Sequence, residues 1–473
     1  MALRSFSIWC GPCVWWRAVV LRAIAAMGCL VLVSCGSSDP EPIRQATAAG
    51  GEPSTFEGST LEVDESTTSS IADAARNTAS PTTTSTTTTI PEFAEVVLAA
   101  PGVNSGEPNV VTDIASALDI LAPGGTIVLG PGTHPPLQLV GIIGEPSRPL
   151  QIVGADGAVL RGESHSSDAA LLISESAYID VRNIHAEHAL WGIMIESSEG
   201  IAIANNVVRD VGQEAVRVRD GSSQIRIINN TISDTGQRSD IAEPNGEGVY
   251  IGTGTPSGVD VVTDIEIVGN DIFRIADEAI DIKVAVSDVL IADNRISDVA
   301  TATSGAVVIH LNASADSSDP NIVVERNIIR NVTRTSPYRD GNCIVAATTV
   351  TIVNNVIHGC EHRGIYLRGE GGVATIQHNT LIETGTDGAI VDEILSSTVV
   401  SQNNLGAGGE ENHALVHLSD LVDPTVGDYR LQATAQVPKI APSVGVLEDF
   451  TGELRPSELV TFGAFEYTNS VTQ

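Results

Sequence analysis

The stretch Ile225–Ile232, reading IRIINNTI, decides the fold: a short strand with alternating apolar residues, a turn carrying Asn, and the start of a second strand. The phrase returns as IAIANNVV (201–208), IEIVGNDI (265–272), VLIADNRI (289–296), IVVERNII (322–329), VTIVNNVI (350–357), ATIQHNTL (374–381) and VVSQNNLG (399–406), with YIDVRNIH (178–185) as a degraded first copy. Its Asn column reads Asn183, Asn206, Asn230, Asn270, Asn294, Asn327, Asn355, Asn379 and Asn403, at a basic period of about 24 residues. That period, combined with two-residue apolar alternation and little helical patterning, predicts stacked β-coils rather than a closed globule. Each coil buries its Val and Ile on the coils above and below, and the Asn amides pass hydrogen bonds up the stack. The expected fold class is all-β, a single-stranded right-handed parallel β-helix.

Composition agrees. Aromatic residues make up only 4% of the chain, and a solenoid absorbs 473 residues as one quasi-linear core without a second globular domain. Asp and Glu outnumber Lys and Arg by 59 to 25, for a formal charge of −34. Nucleic acid is thereby excluded as a general partner. Thr112–Leu121, TDIASALDIL, is the one convincing amphipathic helix, placed to cap the open end of the solenoid and protect its first edge. The expected domains are a signal peptide over 1–34, a disordered Ser/Thr-rich stalk over 35–95, the β-helix over 96–410 and a C-terminal capping segment over 411–473. The body is expected to be a monomer.

The N-terminus speaks to location. Arg4, Arg17 and Arg22 precede an apolar run from Ala23 to Val33, the pattern of an export signal. The run ends in Leu32-Val33-Ser34-Cys35-Gly36, which resembles the bacterial lipobox. That resemblance implies lipidation at Cys35 and an extracytoplasmic protein tethered to the membrane at the cell surface. The Thr-rich stretch PTTTSTTTTIP is similar to the stalks of actinobacterial surface lipoproteins. With Cys10, Cys13 and Cys29 in the signal, only Cys343 and Cys360 remain in the body, where an oxidising envelope permits a disulfide between neighbouring coils.

The helix followed by PGGTIVLGPGTH (123–134) and RPLQIVG (148–154) resembles the start of the chondroitinase B, alginate lyase and pectate lyase-like β-helix proteins. The tail, from GDYRLQATAQ at 427 to FGAFEY at 467, is similar to the C-terminal segment of many secreted bacterial β-helix proteins. Together with the repeats, the resemblance covers about residues 100–470 and implies the fold. It is weak for activity, because β-helices also serve as hydrolases, epimerases, esterases and binding surfaces.

The chemistry is expected on the strand after each Asn turn, whose copies are WGIMIE, EAVRVR, EGVYIG, EAIDIK, GAVVIH, NCIVAA, RGIYLR and GAIVDE. Residues one and three after the small residue point inward, and those two and four after it point out and stack coil on coil. Ile280 and Ile282 are therefore core residues, with Asp281 and Lys283 facing solvent. The fourth position forms the column Glu196, Arg219, Gly252, Lys283, His310, Ala347, Arg368, Glu393. The second forms Met194, Arg217, Tyr250, Asp281, Val308, Val345, Tyr366, Val391.

Lys283 is one of only two lysines, the other being Lys439, and an ammonium can lose a proton where a guanidinium cannot. Glu214, Glu247 and Glu278 share one position on three successive coils, with Asp281 on the adjacent row; stacked carboxylates repel unless a cation neutralises them. The Asn interval swells to 40 residues between Asn230 and Asn270 and to 33 between Asn294 and Asn327, placing insertions on both sides of this strand as groove walls. Taken singly, each feature also has a plain reading: a solvated ion pair, acids splayed into water, exposed tyrosines.

EAIDIK carries a further resemblance, to β-helix lyases with a lysine base and acidic calcium ligands on neighbouring coils. It implies a calcium-assisted polysaccharide lyase acting on a uronate-containing glycan. Ca²⁺ would be held by Glu247, Glu278 and Asp281, and Lys283 would be the base, with His310, Arg219 and Arg368 as candidates for a second catalytic group. Tyr250, Tyr366 and Arg217 would bind sugar. A glycosidase is less favoured, since it needs two carboxylates at a set separation and leaves the lysine idle. The competing class is a non-catalytic glycan-binding or structural surface lipoprotein.

Overall fold

The computed structural model describes residues 92–466 except 104, 242–245, 255–259, 302, 311–319, 337–338, 371, 386–387, 396–397, 407–412 and 436–440. The signal sequence, Cys35, the Thr-rich stretch, Lys439 and the middles of the insertions lie outside the described residues. Among the described residues, no helix is long and apolar enough to cross a membrane.

Among the described residues, three parallel sheets have thirteen, twelve and ten strands, each regular coil gives one strand to each sheet in turn, and two antiparallel pairs lie in the tail. One coil runs Ser223–Ile228, Thr231–Ser233, Val249–Ile251, and the next begins at Val262–Val268 directly beside the first. The fold is a right-handed parallel β-helix. Alternation decides which residues go inside. Ile225, Ile227, Ile232, Val249 and Ile251 are all fully buried and stack on their counterparts in one continuous core.

The turn between the first and second sheets carries the amide ladder. The backbone N–H of each Asn donates to the side-chain oxygen of the Asn one coil on, at 2.8–3.0 Å, from Asn206 through Asn230, Asn270, Asn294, Asn327, Asn355 and Asn379 to Asn404. Each side-chain amide donates back to a carbonyl, as Asn294 does to Ile267 at 2.8 Å. The residue just before the ladder position is left-handed throughout: Asn205, Asn229, Gly269, Asp293, Arg326, Asn354, His378 and Asn403 all have φ between 50° and 69°. Two members of the expected column are thereby corrected. Asn183 and Asn403 are left-handed residues outside the ladder, which ends at Asn404, and at the first copy the ladder position is Ile184, whose N–H donates to Asn206.

The N-terminal helix is Ile114–Ile120, capped by Asp113, whose carboxylate accepts from Ser116 N–H at 2.8 Å. Ile114, Leu118 and Ile120 pack on the end of the core. A strand at Phe93–Leu98 pairs with Leu121–Leu129. At the other end the tail does more than cap. Leu421, Tyr429, Val460 and Phe462 pack on Val356, Ile382 and Leu405, outward residues of the second sheet, so the tail lies along the flank of the last coils. Buried Arg455 pins it there by donating to the Asn354 side-chain oxygen (2.9 Å) and the Ala464 carbonyl (2.9 Å). Cys343 and Cys360, both buried, form a disulfide with a Cα–Cα distance of 5.6 Å.

Candidate active site

The third sheet carries both columns in the expected register. Arg217 pairs with Tyr250, Tyr250 with Asp281, Asp281 with Val308, Val308 with Val345 and Val345 with Tyr366. Ile280 and Ile282 are fully buried in the core. The expectation that Asp281 faces solvent is corrected: it points away from the core yet is 0% exposed. Lys283 covers it, with its ammonium against Asp281 Oδ2 and its side chain 16% exposed. His310 covers it from the next coil, with Nε2 at 3.1 Å from Oδ1. Neither approach has hydrogen-bond direction, so both Asp281 oxygens keep lone pairs without a donor.

Glu214, Glu247 and Glu278 are buried as well, which corrects the picture of acids splayed into water. Glu214 is satisfied: Trp191 Nε1–H donates to it at 2.8 Å, and Arg217 lies 3.5 Å away. Glu278 accepts from the Thr303 hydroxyl, and the Thr303 N–H donates to Asp277 at 3.0 Å. Glu247 Oε2 has no partner. Oxygens of Glu247, Glu278 and Asp281 lie within 4.8 Å of one another. Burial, then the charges of Glu214 and Asp281, push the Glu247 pKa up to about 8. Burial, then Asp281 and Asp277, push Glu278 up in the same way. For Lys283, burial works downward, but the Asp281 charge outweighs it and the net shift is upward.

Oxygens around one Ca²⁺ lie at 2.3–2.6 Å from it and so at most about 5 Å from each other. Three buried carboxylates inside that limit, two of them with orphaned oxygens, fit a hard divalent cation. Without one, burial drives Glu247 and Glu278 toward their protonated forms.

Arg217 lies over both the Trp191 ring (5.3 Å) and the Tyr250 ring (5.2 Å), and Lys283 lies over Tyr250 at 4.9 Å. Tyr250 is only 8% exposed, a support for the two cations rather than an open platform for sugar. The remaining candidates lie further along the face. Arg219, two coils before Lys283, pairs with Glu196 and Asp220. Tyr366 donates to Glu393 at 2.7 Å beneath Arg363, and Arg368 pairs in register with Glu393, three coils beyond Lys283. Trp191, Asp277 and Thr303 were missed as site residues. Trp191 was legible in the aligned copies, where it occupies the position of Glu214.

Residues 169–335 match the family described as right handed beta helix region. No curated protein sequence matches the chain. Pectate lyase Pel9A has a similar structure over 80% of this chain and 98% of its own, with 14% identity and a TM-score of 0.51. The alginate lyase of Paenibacillus sp. str. FPU-7 is similar over 65% of this chain and 98% of its own, with 18% identity and a TM-score of 0.49. The chain has the right-handed parallel β-helix fold, and at 14% identity the likeness to Pel9A is one of fold.

Proposed function

We propose that the protein binds an acidic, uronate-containing polysaccharide on the outer face of its third sheet and cleaves it by β-elimination. The observation that carries this reading is the convergence of three buried carboxylates, Glu247, Glu278 and Asp281, beneath a partly exposed lysine. Those carboxylates would hold Ca²⁺, which when bound binds the uronate carboxylate and stabilises the charge left as the C5 proton departs. Lys283 sits above Asp281, with its side chain partly exposed. With the carboxylate charge committed elsewhere, its amine takes the C5 proton while the 4-linked sugar leaves. His310, on the next coil and touching the same carboxylate, stands where it can pass a proton to the leaving oxygen.

A second reading has an observation of its own. In the structure Lys283 is held as an ammonium by Asp281. Such a group binds a carboxylate without abstracting anything, as a glycan-binding surface protein would. Incubating the protein with alginate, pectate and chondroitin while following near-UV absorbance of the unsaturated product separates the two. Lys283→Ala should lower lyase activity about 10²–10⁴-fold with folding retained. Binding to one polymer without any absorbance rise supports the surface-binding reading and refutes the lyase. Calcium should also raise the melting temperature of the wild type and leave that of Glu247→Gln unchanged.

We further propose that Cys35 is lipidated and tethers the protein outside the cytoplasm, which rests on the lipobox pattern Leu32–Cys35. Two acyl chains suffice for stable anchoring. Cys35→Ser should release the protein from the membrane fraction; unchanged fractionation and acylation would refute the anchor.

A further inference from the structure

A second cluster lies outside the carboxylate site, at the turn between the second and third sheets on the coils that precede that of Glu247. His188 follows the strand His185–Glu187, and Asp210 follows the strand Val207–Arg209 one coil on; the His188 N–H donates to the Asp210 carbonyl at 2.8 Å. His165 comes from the loop ahead of the strand Ala169–Ser174 and folds over both. The two imidazoles converge on one carboxylate. His165 Nε2 is 2.9 Å from Asp210 Oδ1 and 3.1 Å from the Asp210 carbonyl, and His188 Nδ1 is 3.3 Å from Asp210 Oδ2. The ring centroids are 4.4 Å apart.

We propose that His165, His188 and Asp210 form a site for a zinc-class transition-metal ion. Three neutral-nitrogen and carboxylate ligands with a fourth position left to water is a common zinc arrangement. Ligand atoms at about 2.0–2.1 Å from a tetrahedral ion lie about 3.3 Å from one another; His188 and Asp210 already hold that spacing, and His165 stands slightly closer to Asp210 at 2.9 Å. Imidazole donors select for zinc, copper or nickel and against calcium, so the two sites differ in the ion they take.

The loop that brings His165 is built to stay in place. The Ser164 N–H donates to the Ser167 hydroxyl at 3.0 Å, and Ser167 donates back to the Ser164 carbonyl at 2.7 Å. Its backbone lies directly on Gly212: a Cβ there would come within 1.9 Å of the His165 carbonyl oxygen. Ser166 donates to Asp240, which Arg238 also holds, and the Gln237 and Arg238 N–H groups donate to the carbonyls of Val211 and Gly212. The first insertion is therefore rooted on the same coil turn. An ion here would tie the loop at 163–168 to two successive coils at the base of that insertion.

Zinc chloride titrated calorimetrically into the full chain, with calcium in excess to fill the carboxylate cluster, tests the site. The expected result is one zinc per chain, weakened at least tenfold in His165→Ala, His188→Ala and Asp210→Asn and unchanged in Glu247→Gln. Asp210→Asn keeps an acceptor for the imidazoles and a residue tolerant of the left-handed backbone, so it separates lost metal binding from lost folding. Cobalt in place of zinc should give the visible spectrum of a tetrahedral site, and His188→Ala should abolish it. Absence of zinc binding in the wild type overturns the proposal. So does binding that survives both histidine substitutions or that is lost in Glu247→Gln instead.

Discussion

Removing one rung of the amide ladder has a calculable cost. Asn294 is fully buried, and its side-chain oxygen accepts both the Asn270 N–H (2.9 Å) and the Asn270 amide (3.0 Å). Its own amide donates to the Ile267 carbonyl (2.8 Å) and the Asn327 oxygen (2.9 Å). Alanine at this position leaves two donors of Asn270 short of an acceptor in the dry turn. It also leaves the Ile267 carbonyl without this donor, while the Asn294 backbone bond to Asn327 survives. A buried group left unsatisfied costs about 1–3 kcal/mol, so Asn294→Ala should lose about 3–5 kcal/mol. The control is Asn183, an exposed left-handed residue outside the ladder, where Gly has the same backbone freedom and Asn183→Gly should be close to neutral. Equilibrium urea unfolding with the disulfide intact measures both, read as midpoint shifts at constant m. A loss below about 1 kcal/mol in Asn294→Ala, or an equal loss in Asn183→Gly, would show that the ladder contributes little.

Ile282→Ala should cost about 2–5 kcal/mol as a core truncation, and Asp281→Asn about 1–3 kcal/mol because it strips the counter-charge from Lys283; urea midpoints in the reverse order would place the strand in the wrong register. His378 is buried, with Nδ1 donating to the Thr461 carbonyl at 3.1 Å and Nε2 beside the Asn403 amide at 3.3 Å. Burial, then the Arg455 charge, hold its pKa down to about 3, so between pH 6.5 and 3 the unfolded chain takes up a proton that the fold refuses. Stability should fall as pH drops through this window, by about 2 kcal/mol at pH 5. His378→Asn, which places at this turn the residue that Asn354 supplies one coil earlier, should flatten that slope in acid titrations of thermal stability. The disulfide closes a span of 17 residues, worth about 3 kcal/mol by loop entropy. Cys343→Ala with Cys360→Ala should show that loss in urea unfolding, and an unchanged midpoint would refute it.

The coil register was legible because two strong signals agree: the two-residue period assigns Ile280 and Ile282 to the core, and the Asn spacing aligns the copies. A doubled Asn hid one end of the ladder and a lone Asn before Ile184 the other. In VVSQNNLG and YIDVRNIH a one-residue slip decides which residue turns inward, and letters alone do not show that the left-handed place comes first. The burial of Asp281 was equally out of reach, since it depends on Lys283 and His310 folding over it rather than on strand direction. His165, His188 and Asp210 share no motif; a loop and two turns, up to 45 residues apart, bring them together.

The tail lying along the flank has a kinetic consequence. Ladder partners are 24 to 40 residues apart, so successive coils can add to a growing stack as the chain emerges. Arg455 reaches Asn354 across 101 residues, and that contact waits for almost the whole chain. Until it forms, Val356, Ile382 and Leu405 present an apolar strip on the outside of a stack already built. The tail is then a latch that closes last, and a chain cut short of Tyr429 would carry that strip uncovered, open to other copies of itself.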